Sequence, residues 1–238
     1  METPIRASLE KTAPNLLTPF AFCAIVSTMK IDLALDLVGG LSVPSKMPCL
    51  SYSIPAKYCK TGGKLVSIKN SVCSKCYALK GFYNMPNVRN ALQKRFDSIN
   101  KPEWVDAMTI AIATKEKSGF FRWHDSGDIQ SVNHLAKIVQ IANNLPHIKF
   151  WLPTREYSIV SDFIKLYGAI PSNLTIRLSS LMINGNAPTG IAKILGLTTS
   201  GVSKDKSFTC PAPNQDNKCI NCRACWDKSV KNVSYKLH

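Results

Sequence analysis

From Gly119 onward the sequence repeats one unit: a short aromatic or β-branched run, a polar turn, then an amphipathic helix. Residues 120–123 read as a strand ending in His124-Asp125-Ser126-Gly127-Asp128, and Val132, Leu135, Val139 and Ala142 fall on one face of the following helix. Residues 148–152 repeat the strand and end in Pro153-Thr154-Arg155-Glu156, after which Val160, Phe163, Ile164 and Tyr167 mark a helix closed by Gly168. Residues 174–178 form a third strand, ending in Ser179-Ser180. Alternation at this spacing is the signature of parallel βαβ units, so the fold class is α/β. Only three units are clear, which predicts a partial (β/α) barrel of parallel strands. In such folds ligands gather at the carboxyl ends of the strands, so the turns 124–128, 153–156 and 179–180 are expected to converge on one site. From 181 to 207 Gly, Ser and Thr rise and the periodicity vanishes, as in a long loop.

Two helices are expected before the first clear strand. Val88, Leu92, Phe96 and Ile99 recur at helical spacing, and Pro102 sits at the first turn of a second helix carrying Trp104, Met108 and Ala111. Residues 15–29 are apolar and follow Arg6 and Lys11, but Pro19 interrupts them, no small-x-small site follows, and the run is too short to span a bilayer. They read as a buried segment of a cytoplasmic protein, with no membrane partner. The 238 residues then divide into an N-terminal segment packed on the core (1–48), the partial barrel (49–200) and a cysteine-rich C-terminal, cluster-binding segment (201–238).

In a reducing compartment close Cys-x-x-Cys pairs argue for metal or redox chemistry over disulfides. Cys59, Cys73 and Cys76 form a first set, in which the two-residue gap lets a tight turn aim both sulfurs at one centre. Nearby lysines are expected to favour the thiolate form. Three thiolates on a four-iron cluster leave one iron open for chemistry. Cys210, Cys219, Cys222 and Cys225 form a second set whose overlapping gaps resemble ferredoxin spacing. Four ligands close a site, so this one reads as an electron-relay or structural cluster, or as a structural four-thiolate zinc site. Cys23 and Cys49 lack close partners and read as small buried hydrophobes.

The net charge of +15 is unevenly placed. Residues 55–101 hold ten basic side chains and one acid, Asp97. Anionic clusters with three and four thiolates carry roughly −1 and −2, which leaves most of that excess uncompensated. A phosphate-bearing partner, nucleotide or nucleic acid, is therefore expected.

Longer runs carry a resemblance. Ser51-Tyr52-Ser53-Ile54-Pro55, Cys59-Lys60-Thr61-Gly62, and Cys73-Ser74-Lys75-Cys76-Tyr77-Ala78-Leu79-Lys80-Gly81 are similar to the phage "gene product 88" family. So are residues 122–128, 152–156 and the tail from Cys210 through Trp226 to His238. Cys-x-x-Cys-Tyr-Ala followed by βα units also resembles the radical S-adenosylmethionine (SAM) superfamily. That resemblance implies a 4Fe-4S cluster on Cys59, Cys73 and Cys76 whose open iron binds SAM, with a second 4Fe-4S cluster and an electron donor protein. It further implies that Gly127 and Asp128 stand where a Gly-Gly-Glu-type turn grips the SAM amine. The gap of thirteen residues between Cys59 and Cys73 is longer than that superfamily's usual three.

Other strand-end residues complete the candidate site. Thr154 and Ser179 are candidates for holding a cofactor. Asp128 is also a candidate catalytic group, and His124 reads equally as catalytic or as a structural histidine. Arg155 and Arg177 are candidates for a substrate carboxylate or phosphate, although an arginine at a strand end often pairs with an acid such as Glu156. Two functions follow: a radical-SAM-like iron–sulfur enzyme acting on a phosphate-bearing substrate, or a non-catalytic zinc- or cluster-stabilised nucleic-acid-binding protein.

Overall fold

The computed structural model describes residues 29–205 and 207–237. Within them six strands form one sheet, all parallel and in chain order. They are β1 (Leu50–Tyr52), β2 (Phe120–Trp123), β3 (Lys149–Thr154), β4 (Leu174–Ser179), β5 (Thr198–Ser203) and β6 (Asn232–Lys236). β1 and β6 are its edges, and no pairing joins them among the described residues. The register aligns Leu50, Phe121, Phe150 and Leu174 across four strands, so one apolar row crosses the sheet.

Strand periodicity decides the two faces. Phe121, Trp123, Phe150, Leu152, Ile176 and Leu178 belong to the main core, which they share with the helices. Those helices include α1 (Ile31–Val38), α4 (Trp104–Lys115), α5 (Val132–Asn144), α6 (Tyr157–Tyr167) and α7 (Thr189–Ile194). The shorter α2 (Lys60–Leu65) and the helix α3 (Pro86–Ser98) lie in the segment between β1 and β2. α4 is apolar on nearly every side and is correspondingly buried, packed between α1 and α5. The opposite face carries a smaller cluster of Trp151, Cys49 and Trp226, joined by Phe120, Cys225 and Tyr235. Every residue of β4 is therefore buried, as a strand covered on both faces must be.

The N-terminal elements are fixed by polar ties inside this core. The Tyr52 hydroxyl lies 2.8 Å from Val38 O and 2.9 Å from Arg95 O, and it accepts from Trp104 Nε1 at 3.2 Å. Ser131 caps α5, its hydroxyl accepting from His134 N at 3.0 Å. The expected helices at 86–99 and after Pro102 are present as α3 and α4. The apolar run 15–29 lies outside the described residues except for Met29.

One expectation is overturned. Residues 181–207 are not a loop: α7 and β5 occupy their centre, and β6 in the cysteine-rich tail pairs with β5. The physical reason is that β5 is built from hydroxyl residues that bond within the sheet. Thr198 Oγ1 donates to Ile176 O at 2.8 Å, the Ser200 and Ser179 hydroxyls meet at 3.0 Å, and Thr199 Oγ1 bonds Asn232 Oδ1 at 2.9 Å. A strand satisfied in this way has no hydropathy alternation to betray it.

Candidate functional site

Three cysteines are brought together at the carboxyl ends of the strands, and each is tied to a different one. β1 runs through Pro55 into the turn Ala56–Tyr58, and Cys59 then opens α2. Two residues on, Thr61 donates its N–H to Glu156 Oε1 and its hydroxyl to Glu156 Oε2, both at 2.8 Å, which ties Cys59 to the end of β3. Cys73 follows a short antiparallel bridge between Ser71 and Met182, with Val72 N donating to Leu181 O at 2.9 Å and Ile183 N to Asn70 O at 2.9 Å. That bridge ties it to the end of β4. Cys76 closes the tight turn by donating its N–H to Cys73 O at 3.1 Å, and its neighbour Tyr77 donates to Asp125 O at 2.5 Å, beyond the end of β2.

Gly62 leaves room between two of these thiols. A Cβ there would lie 3.0 Å from Cys59 Cβ, 3.4 Å from Cys73 Sγ and 3.8 Å from Cys59 Sγ. The Cys59 and Cys73 thiols thus flank a cradle that one methyl group would fill. Among the described residues no group of three or more His, Cys, Asp or Glu is placed to hold a metal ion as it stands. A single tetrahedral ion needs sulfurs at about 2.3 Å, whereas a cluster interposes its own irons and sulfides and takes ligands that stand further apart.

The electrostatics correct one expectation. Burial pushes the Cys59 and Cys73 thiols above their usual value, and the nearby charges of Asp128 and Glu156 push the same way. The cation that opposes this at Cys73 is Arg155, not a lysine. Lys57, Lys60, Lys64, Lys69, Lys75 and Lys80 all project to solvent. Without a metal to take the sulfur lone pairs, such buried thiols stay protonated.

Around the thiols the predicted turns do meet. Asp128 Oδ1 accepts from Thr154 Oγ1 at 2.6 Å and from Ile129 N at 2.8 Å, while Oδ2 accepts from Arg155 N at 2.9 Å. Burial raises the Asp128 carboxyl to about 6, although the Arg155 and Thr154 hydrogen bonds pull it down. Thr154 Oγ1 also accepts from Glu156 N at 3.0 Å, so an unbroken chain runs from Asp128 through Thr154 and Glu156 to Thr61. Arg155 Nε donates to Ser180 O at 3.1 Å, and its two Nη groups make no hydrogen bond among the described residues. Gly127 has φ +86°, and a Cβ there would lie 2.3 Å from Ile54 Cγ1. Only glycine lets this turn pack on the β1 end, where Ile54 N donates to Ser126 O at 3.0 Å.

Three sequence-predicted residues stand outside this network. Arg177 is fully buried and spends its donors on five backbone carbonyls: Cys225, Thr199, Val230, Ala224 and Asp227, at 2.6–3.2 Å. No donor is left for a substrate, and its work is to clip the C-terminal segment to the sheet. Ser179 pairs its hydroxyl with Ser200 and its carbonyl with Tyr157, so it is committed within the sheet. His124 packs its ring 5.4 Å from that of His134 on α5 and 6.1 Å from that of Trp123. Both its nitrogens are buried without partners, and burial holds it well below the usual histidine range.

The second cysteine set lies against the other face of the sheet. Cys210 N donates to Ser234 O at 2.9 Å, Cys219 N to Lys46 O at 3.0 Å and Cys222 N to Cys219 O at 2.8 Å. Cys225 Sγ is 3.2 Å from the Tyr235 hydroxyl, and burial raises its thiol to about 12. Each of Cys210, Cys219 and Cys225 is within electrostatic reach of another member of the set. Cys49 is buried beside this set, its thiol raised to about 12 by burial with Cys219 among its neighbours. Sequence spacing had left it without company.

Arg122 stands between the two sets. Its Nη1 pairs with Asp125 Oδ1 at 2.9 Å and its guanidinium lies 4.6 Å from the Trp151 ring. Burial works to lower its pKa, but Asp125 and Tyr77 on one side and Tyr235 and Cys225 on the other together raise it. The sequence pattern of the Gene product 88 family, of phage origin, matches residues 28–228, which include β1–β5 and every cysteine of both sets. The chain belongs to the Gene product 88 family. No curated protein and no solved structure matches this Gene product 88 chain. No helix among its described residues is long and apolar enough to cross a membrane.

Proposed function

We propose that this Gene product 88 protein is a radical-SAM-like iron–sulfur enzyme of the host-cell cytoplasm, acting on a phosphate-bearing substrate, nucleotide or nucleic acid. The observation that carries the reading is the convergence of Cys59, Cys73 and Cys76 at the ends of parallel strands, each tied to a different strand end, with Cys59 and Cys73 flanking the Gly62 cradle. The sequential order β1 to β6 is that of one sector of a (β/α) barrel, whose ligands sit at this end. A 4Fe-4S cluster on those three thiols, reduced by an electron donor protein, would supply the electron that cleaves SAM.

The chain's own residues prepare the site for it. Glu156 fixes the Cys59 loop, and Asp128 keeps one carboxylate lone pair on Oδ2 for the SAM amine. The unpaired Nη groups of Arg155 supply cationic donors for a carboxylate or phosphate. The four-cysteine segment, with a second 4Fe-4S cluster, closes the opposite face and excludes water there. The alternative is a non-catalytic zinc- or iron–sulfur-stabilised nucleic-acid-binding protein, which draws its support from the basic segment alone.

Anaerobic purification with metal analysis tests the reading. About eight irons per chain and a visible charge-transfer spectrum are expected. The reduced cluster's spectrum should change on adding SAM in the wild type and stay unchanged in Cys76→Ala. A fully assembled cluster that neither binds SAM nor responds to it refutes the enzyme reading.

A further inference from the structure

A groove of about 460 Å³ opens beside the Tyr77 loop, between α3 and the end of β2. Its wall is apolar, from Val43, Phe82, Val88 and Leu92, and its floor holds Ser53 and Asp125. Phe82 is 79% exposed and Val43 80%, so two of the apolar side chains that line the groove stand largely in water. Phe82 does not hang on a loose loop. It sits in the turn Gly81–Asn84, where the next residue, Tyr83, donates its hydroxyl to Asp125 Oδ2 and where Asn84 Nδ2 donates to Leu79 O at 3.2 Å. Tyr83 anchors the turn inward and Phe82 is left outward, as a fixed aromatic face.

The surroundings of that face carry uncompensated positive charge. The ion pairs among the described residues are Arg122–Asp125 and Lys165–Asp162, so none of the ten basic side chains of residues 55–101 is neutralised by a carboxylate. Arg95, in the groove wall, points its guanidinium at Gly40 O, Ser42 Oγ and Leu41 O, all neutral acceptors. Lys80, next to the Phe82 turn, and Arg89 and Lys94 on α3 are exposed. The one acid of the segment, Asp97, accepts from Gln93 at 2.8 Å. The Asp125 carboxylate in the floor is already neutralised by Arg122 and bonded by Tyr83.

An aromatic face set in an unopposed cationic field matches a molecule that offers a flat base and flanking phosphates together. We propose that the groove is a docking site for single-stranded nucleic acid, with one unstacked base on Phe82 and the adjacent phosphates on Lys80 and Lys94. Stacking on an aromatic tolerates any base, and the lysines read only backbone charge, so the site is sequence-tolerant. Duplex is disfavoured because its bases are stacked and unavailable to Phe82. This deepens the phosphate-bearing substrate class proposed above and makes the strand, led past Tyr77 toward Cys76, the form in which the substrate arrives.

The test is fluorescence anisotropy with a labelled oligonucleotide of about 15 nucleotides, as DNA and as RNA since both share base faces and phosphates, against the matching duplex, at two salt concentrations. Phe82→Ala is expected to weaken single-strand binding by about fivefold to a hundredfold, with Phe82→Trp restoring it and the salt dependence unchanged. Lys80→Gln and Lys94→Gln should each flatten the slope of log K against log salt by about 0.7. Phe82 is exposed, so these variants should keep the wild-type unfolding curve. Affinity indifferent to Phe82→Ala, equal binding of duplex, or binding that ignores salt overturns the proposal. Because iron content and SAM response are read separately, failure here leaves the enzyme reading standing, and failure there leaves this one.

Discussion

Thr61 and Glu156, 95 residues apart in the chain, share two hydrogen bonds of 2.8 Å in which both carboxylate oxygens accept from the same residue. Glu156 is buried at the end of β3, so this pair fixes where Cys59 stands relative to the sheet. Hydrogen bonds to a charged group contribute about 1.5–3 kcal/mol each, and a buried donor left unpaired costs about as much. Glu156→Ala is therefore expected to lower unfolding free energy by about 3 kcal/mol in urea titration, and Thr61→Val by about half that. A double-mutant cycle should give a coupling well above 1 kcal/mol. Additive effects would mean that the pair is not the tie it is taken to be.

Arg177 makes a separable prediction about the C-terminal segment. Its five carbonyl acceptors belong to β5 and to residues 224–230, which no other side chain among the described residues gathers in this way. Lysine has three donors on a flexible stem and cannot reproduce the planar fork. Arg177→Lys should cost about 3 kcal/mol or more and release the segment locally. Hydrogen exchange is expected to accelerate across 219–230 while α4 and α5 keep their protection; uniform acceleration would mean that the arginine supports the whole fold equally.

Legibility in the sequence followed the chemistry of each element. β2, β3 and β4 announce themselves because aromatic and β-branched residues fill both faces of a buried strand. β5 does not, because Thr198, Thr199 and Ser200 satisfy themselves inside the sheet through hydroxyl hydrogen bonds, and β1 has only three residues. The meeting of the strand-end turns was readable from topology alone, and Asp128, Thr154 and Arg155 do meet. Partners were not readable. Glu156 sits next to Arg155 in sequence yet bonds Thr61, and Arg177 looks like any strand-end arginine until the tail folds over it. Cys49 gains its neighbours from the packing of Trp151, Trp226 and Tyr235, and so does Arg122 on the side away from Asp125.

The two cysteine sets occupy different places, the first at the carboxyl ends of the strands and the second against the face that carries Trp151 and Trp226, and their occupancy should be separable too. Cys222→Ser is expected to remove one site's share of bound metal, and Cys76→Ser the other's, each with the remaining spectrum intact. Gly62→Ala belongs with the second variant, since its methyl group would press on Cys59 Cβ and Cys73 Sγ while leaving the four-cysteine segment alone. Loss of all metal together in a folded single variant would show one shared site.

Two buried histidines set the acid limit of the fold. His124 and His134 stand ring to ring at 5.4 Å, and His134 Nδ1 accepts from Gln130 N at 3.2 Å, a bond that only the neutral ring can accept. Burial lowers His134 from 6.5 to about 3, helped by Lys137, and His124 falls in the same direction. Both groups thus bind fewer protons folded than unfolded between pH 6.5 and the folded value, so unfolding takes up protons there and stability falls as pH falls. The slope is about 1.4 kcal/mol per pH unit for each histidine that stays neutral, beginning near pH 6.5 and absent above it. The Asp128 carboxyl, raised to about 6, works the other way and offsets about 1.4 kcal/mol between pH 6 and pH 5, so urea titrations at pH 7.5 and pH 5 should differ by about 2–3 kcal/mol in the wild type, and His134→Gln should remove most of that difference. An equal loss on acidification in the variant would assign the acid sensitivity to other groups.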